Sequence, residues 1–215
     1  MFNDEFRLTQ AVLNGRKTMT RRIIEIDECV RFPIIRFRPL ENWEKKVVNP
    51  NYVFNGHIYA VYNELDLLCH LVKPRYEIGE VVAIAQSYKD SGYSPDSLDR
   101  HPKDLSVRGL MKDSAGWNNK MFVKSYACRH HIKIVNVKIE RLQDISDEDC
   151  LKEGVIHAYT DNNGIKIYHT PHTKRGYLST DVAQQAFSFL IDKVSGKGTW
   201  ESNPFVFAYE FVLVD

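Results

Sequence analysis

Along EFRLTQAVLN the apolar residues Phe6, Leu8, Val12 and Leu13 recur at the spacing of one helix side, and Gly15 offers a left-handed stop just beyond. TMTRRIIEI follows, rich in β-branched residues, and predicts extended chain. Residues 25 to 75 read as a β-rich or irregular insertion. Within it VRFPIIRFRPL and HIYAVYNELDLLCHLV hold apolar runs, and Pro50, Asn51 and the pair Asn55-Gly56 mark a turn-like stretch between them. A buried strand is expected from Val81 to Tyr88 after a turn at Gly79. Residues 89 to 120 lack a sustained period and read as a long polar loop.

The second half is more regular. HIKIVNVKIERL, from His131 to Leu142, alternates and predicts a long strand with Ile132, Ile134 and then Val137, Ile139 inward. Ser146 is an N-cap candidate, Asp149 stands at the capping-box position, and Gly154 fits the stop of a short acidic helix over about 147–153. Asn163-Gly164 predicts a hairpin turn. STDVAQQAFSFLIDKVSG is an amphipathic helix with Val182, Phe187, Leu190, Ile191 and Val194 near its buried stripe, and Asn203-Pro204 turns into a final strand. This order predicts an α+β fold with a small barrel-like sheet and no internal repeat.

Composition narrows the classes. At 215 residues with 43% hydrophobic content the chain is too apolar for disorder and long enough for one packed domain, or for a small domain carrying a large insertion. A formal net charge of +1 lacks the footprint of a protein that coats nucleic acid, so nucleic-acid binding would rest on a local patch. No apolar run approaches the span of a bilayer and no targeting segment is evident, so a cytoplasmic protein without a membrane partner is expected. Cys29, Cys69, Cys128 and Cys150 are dispersed and predict reduced thiols. His130-His131, His169 and His172 stand at no recognised ligand offset, and no metal or cofactor is expected.

Against that near neutrality, GRKTMTRR concentrates Arg16, Lys17, Arg21 and Arg22 around Thr18 and Thr20 where a helix hands over to extended chain. A solvated helix end, whose cations offset the dipole, would explain the cluster by itself. A ligand site would explain it too.

Three blocks carry a resemblance. QAVLNGRKTMTRR, IKIVNVKIERLQDISDEDCLKEGV and WESNPFVFAYEFVLV, in that order, resemble the ASCH family, a branch of the PUA-like β-barrel superfamily whose longer members are common in phage and mobile-element genomes. The resemblance implies a single domain over 1–215 with a PUA-like small β-barrel, flanking helices and insertions at about 25–75 and 89–120. It also implies recognition of RNA or a modified nucleoside and, in some members, metal-independent hydrolysis of the N4-acetylcytidine amide. By the same resemblance Lys17, Thr20 and Glu153 would be catalytic. Where many relatives carry G-D-x-L-W-V-R-E, this chain reads GEVVAIAQ, with Ala83, Ala85 and Gln86 in place of Trp, Arg and Glu.

The chemistry is coherent on its own footing. Thr20 would attack an amide carbonyl with Lys17 as its base, and burial together with Arg16, Arg21 and Arg22 would favour the neutral lysine this requires. Arg22 would hold a phosphate or carbonyl, with Arg16, Thr18 and Arg21 as further substrate-binding candidates. Glu153, at a helix end that disfavours its charge, is expected to protonate the departing amine or to recognise the base, rather than to pair permanently with Lys17. Tyr88, Trp117 and Tyr126 would stack on a base or pack in the core. Three other readings stay open: a non-catalytic RNA-binding regulatory module, a phage-related assembly factor with a protein partner on the insertions, and a ribonuclease using the RHH histidines.

Overall fold

The structure is a computed structural model describing residues 2, 4–26, 34–41, 44, 56–93, 116–120, 122–171 and 177–214. Its first half runs α1 (Leu8–Leu13), β1 (Met19–Ile23), β2 (Ile34–Pro39), β3 (Tyr59–Asn63), β4 (Leu68–Val72), β5 (Val81–Ala83) and α2 (Tyr88–Ser91). The second runs β6 (His131–Arg141), α3 (Asp147–Lys152), β7 (Ile156–Thr160), β8 (Lys166–His169), β9 (Ser179–Thr180), α4 (Ala183–Ser195), α5 (Thr199–Ser202) and β10 (Phe205–Val214).

The α+β class is as expected, and its centre is an antiparallel sheet of order β1-β10-β6-β5 curled into a half-barrel. Among the described residues β1 and β5 are its outer strands, so the sheet closes no barrel of its own. β10 is central because its run is apolar on both faces. Phe207, Tyr209 and Phe211 enter one core cluster, while Val206 enters another beneath α4.

On β6, Ile132 and Ile134 are buried and Val137 and Ile139 pack against the same cluster, so the inward parity changes within the strand. The cause is a register shift opposite Glu210 and Phe211, which pair with Asn136 and Ile134 and leave Val135 as the extra, exposed residue. A bulge of this kind bends a strand and sharpens its twist, and here it lies in the sheet's longest pairing.

Segment 25–75 contains a second antiparallel sheet, β2-β3-β4, and Val61 and Val72 share the main core with Ile132, Ile134 and Phe207. The turn expected around Pro50, Asn51 and Asn55 lies outside the described residues, as do Cys29, His172 and residues 94–115 of the expected loop. β7, β8 and β9 form a third sheet, with the expected turn at Asn163-Gly164 between β7 and β8. The second core, of Leu142, Ile145, Cys150, Phe187 and Ile191, joins α3 to α4. Burial there pushes the Cys150 thiol up to about 12, which makes it inert.

Three local expectations change. The strand expected over Val81–Tyr88 ends at Ala83, because Ser87 caps α2 in a reciprocal box with Asp90. Val182, expected in the stripe of α4, is its N-cap and is 46% exposed; Ala183, Ala186, Phe187, Leu190 and Ile191 form the buried face. Tyr88, Trp117 and Tyr126 pack in one small cluster with Tyr93, which is the core reading of those rings.

Candidate functional site

Gly15, with φ of +69°, ends α1, and the next two amides, of Arg16 and Lys17, both donate to the Ala11 carbonyl. The Thr18 amide then donates to the Lys152 carbonyl at 2.9 Å and binds this turn to the end of α3. Lys17 is thereby delivered to the carboxyl end of that helix, where unpaired carbonyls favour a cation. Gly154 makes the approach feasible: its φ is +112°, and a Cβ there would stand 3.1 Å from Leu8 Cδ2 and 3.8 Å from Lys17 Cδ.

The Lys17 ammonium is 2% exposed as a residue and donates to Met19 O at 2.7 Å, Glu153 O at 2.7 Å and Glu153 Oε2 at 2.6 Å. Three acceptors match its three N–H groups. Burial pushes its pKa below the ordinary lysine value, the Glu153 carboxylate opposes that, and Arg22 and Arg21 add to the lowering. The expectation that Glu153 would avoid standing contact with Lys17 is therefore corrected: the two form a buried ion pair.

Arg21 is also buried, and its guanidinium is fully engaged. Nε donates to Glu140 at 3.0 Å, one terminal nitrogen to Glu140 at 2.5 Å and Asp149 at 3.1 Å, and the other to Glu153 at 3.1 Å and the Met19 sulfur at 3.4 Å. Five bonds match five N–H groups, so every Arg21 donor is engaged by the three acids and the Met19 sulfur. Lys138 completes the network at 2.7 Å from Asp149 and 2.9 Å from Glu140. Three cations thus balance the three acids Glu140, Asp149 and Glu153. Desolvation works to raise the Asp149 pKa, but Lys138 and Arg21 outweigh it and hold the carboxyl below its ordinary value.

Sequence reasoning missed Glu140, Lys138 and the role of Asp149. Lys138 and Glu140 lie two apart on β6 and share a face, a readable signal for a charged pair. Asp149 was expected to close a capping box; Ser146 Oγ does accept the Asp149 amide at 3.2 Å, but the carboxylate turns to Lys138 and Arg21 instead.

The other face of β1 differs. Thr20 and Arg22, two apart on the strand, both line a narrow cavity of about 40 Å³ together with Lys17, Glu153, Phe2 and Leu190. The same two residues line an adjoining cavity of about 220 Å³ whose walls include Tyr76, Ala83, Ala85 and Ile132. Arg22 and Arg75 also border a larger cavity of about 570 Å³, with His70, Lys73, Glu25 and Tyr209. The Arg22 Nε is buried without a hydrogen-bond partner among the described residues. Arg16 is exposed at the preceding turn, and Thr18 is half-buried with its backbone between α3 and Phe211.

The structure therefore gathers Lys17, Thr20, Arg21, Arg22 and Glu153 around one cavity. Gln86, at the departure noted in GEVVAIAQ, is buried and accepts from the Arg129 amide at 2.5 Å. Among the described residues no group of three His, Cys, Asp or Glu side chains is arranged to hold a metal ion, and no helix is long and apolar enough to cross a membrane. Comparison with protein-family models, curated proteins and solved structures gave no significant match.

Proposed function

We propose that this chain is an ASCH, PUA-like protein that binds an RNA base or modified nucleoside in the Thr20 cleft and hydrolyses an N4-acylcytidine amide. The observation that carries the reading is that Thr20 lines one cavity with the Lys17–Glu153 pair, whose two members lie 136 residues apart in the chain. In this reaction Thr20 Oγ attacks the acyl carbon and its proton passes to the Lys17 amine. That proton is then relayed from Lys17 through the Glu153 carboxylate it touches to N4 as the C–N bond breaks, releasing the cytosine amine. Water then cleaves the acyl-threonine ester, and a carboxylic acid leaves. The depressed lysine pKa supports the base role, because burial brings the neutral amine closer to working pH.

A second reading, a non-catalytic nucleoside- or RNA-binding module, is favoured by one observation. All three Lys17 donors and all five Arg21 donors are occupied within the chain, as a structural ion cluster would have them.

Purified protein incubated with N4-acetylcytidine, with cytidine release followed by chromatography, separates the two. Thr20→Val is the informative variant, since it removes the nucleophile and leaves the ion cluster intact. Release by the parent protein, lost in Thr20→Val at an unchanged unfolding midpoint, supports hydrolysis. Absence of release at high protein concentration overturns it and leaves recognition alone. Lys17→Ala is less clear, because it removes one of the two cations that hold the buried Glu153 carboxylate and so costs stability as well as the base.

A further inference from the structure

The large cavity beside Arg22 is not needed for the reaction described above, and its chemistry differs from that of the Thr20 cleft. Segment 25–75 builds one wall: His70, Leu71 and Val72 come from β4, and Lys73 and Arg75 follow it directly. Residues Arg22 to Glu25 on and after β1, with Phe207 and Tyr209 of β10, build the other. The chain after β4 is pinned there, because the Arg75 amide donates to the hydroxyl of the fully buried Tyr209 at 2.8 Å.

The cations lining this space are mostly uncommitted. Arg21 reaches it but is neutralised by its three acids. Arg22, Lys73 and Arg75 share one lining acid, Glu25; Lys73 forms a long, partly exposed ion pair with Glu77 at 3.7 Å, while no ion pair holds Arg22 or Arg75 among the described residues. The buried Arg22 Nε, without a hydrogen-bond partner among the described residues, is a second and independent sign that an acceptor belongs here. At about 570 Å³ the cavity is of ordinary ligand size.

Next to it, sharing Arg22 and Arg75, lies the 220 Å³ cavity, where Tyr76, Val82, Ile132 and Ile134 offer an apolar slot. Ala83 and Ala85 keep that slot open where bulkier side chains would fill it. An apolar slot with Thr20 in its wall adjoins a basic chamber, and two arginines border both.

From this layout we infer that the ligand is a nucleotide, not a free nucleoside: its base occupies the apolar slot beside Thr20, and its 5′-phosphate occupies the chamber of Arg22, Lys73 and Arg75. The base assignment rests on the function proposed above; the anion assignment rests on the cavity itself. The anionic group enters without covalent chemistry, and segment 25–75 supplies the selectivity.

The test compares binding of cytidine 5′-monophosphate, cytidine and inorganic phosphate by calorimetry to the full chain. It is repeated on the Lys73→Ala/Arg75→Ala double variant and on Lys166→Ala, a control on the distant β8. Charge-assisted hydrogen bonds to the phosphate predict a preference for the monophosphate over cytidine of about tenfold or more, lost in the double variant and kept in the control. Equal affinity for the two, or a preference that survives the double variant, overturns the inference. So does inorganic phosphate binding as tightly as the nucleotide, which marks a simple anion site, or a short RNA binding far more tightly than either, which marks a strand groove.

Parallel turnover of N4-acetylcytidine and its 5′-monophosphate distinguishes the two proposals. A phosphate preference without turnover removes the hydrolase and keeps the nucleotide site. Turnover at equal kcat/KM on both substrates does the reverse.

Discussion

The two sides of β1 use arginine in opposite ways. Arg21 spends every donor on Glu140, Asp149 and Glu153, whereas its neighbour Arg22 keeps a buried Nε unpaired and borders three cavities. They are adjacent in sequence and share two of these cavities, but strand alternation turns only Arg21 onto the acids. A cationic cluster in a sequence therefore says little until each charge is matched to its acids. The saturated charges tie elements together, and the unsatisfied one borders open space.

The sharpest way to break this comparison is to remove each arginine in turn. Arg21→Met leaves three acids short of a partner and should lower the urea unfolding free energy by about 3–5 kcal/mol. Arg22→Met, with no buried acid to strand, should cost less than about 1 kcal/mol and act on ligand affinity instead. Equal losses would erase the distinction.

Next in size is Gly154→Ala, which forces a side chain into a left-handed conformation against Leu8 and should cost about 1–2 kcal/mol. Because the same residue admits Lys17, this variant should also disturb the Lys17–Glu153 pair, visible as a shifted pH dependence of any turnover. Ser146→Ala removes the cap of α3, the helix that carries Asp149 and leads into Glu153, and should cost about 1 kcal/mol in the same assay.

The smallest effect is a pH dependence. Asp149 has a folded pKa held below its ordinary value by Lys138 and Arg21, so its contribution is fully present above the unfolded value and is lost as pH falls through the folded one. Unfolding measured from neutrality down to about pH 2 should show a falling limb, and Asp149→Asn should flatten that limb. An unchanged slope would mean the cluster does not hold this carboxylate ionised.

Local features were legible in the sequence. Gly15 as a helix stop and Ser146 as a cap are fixed by neighbours in the chain, so pattern alone finds them; the shift from Ile134 to Val137 on β6 shows in the pattern too, although its bulge forms only against β10. The Val81–Tyr88 strand was overextended because the apolar run hid a capping signal, Ser87 followed three residues later by Asp90. The meeting of Lys17 with Glu153 was implied by resemblance, but its tightness was not, since it depends on Thr18 joining the end of α3. The basic cavity was invisible: His70, Lys73 and Arg75 acquire meaning only when the second sheet packs on the half-barrel.

The placement of β10 sets an order of events during synthesis. β1 emerges from the ribosome first and β6 more than a hundred residues later, yet the strand that joins them follows both. Until Phe205–Val214 has been made, β1 has no partner in its own sheet, and the nascent chain carries an unzipped Arg21 and an exposed row of β6 backbone groups. Such late, distant pairing slows folding and invites self-association. Truncation within β10 should therefore yield aggregates instead of a shortened folded chain.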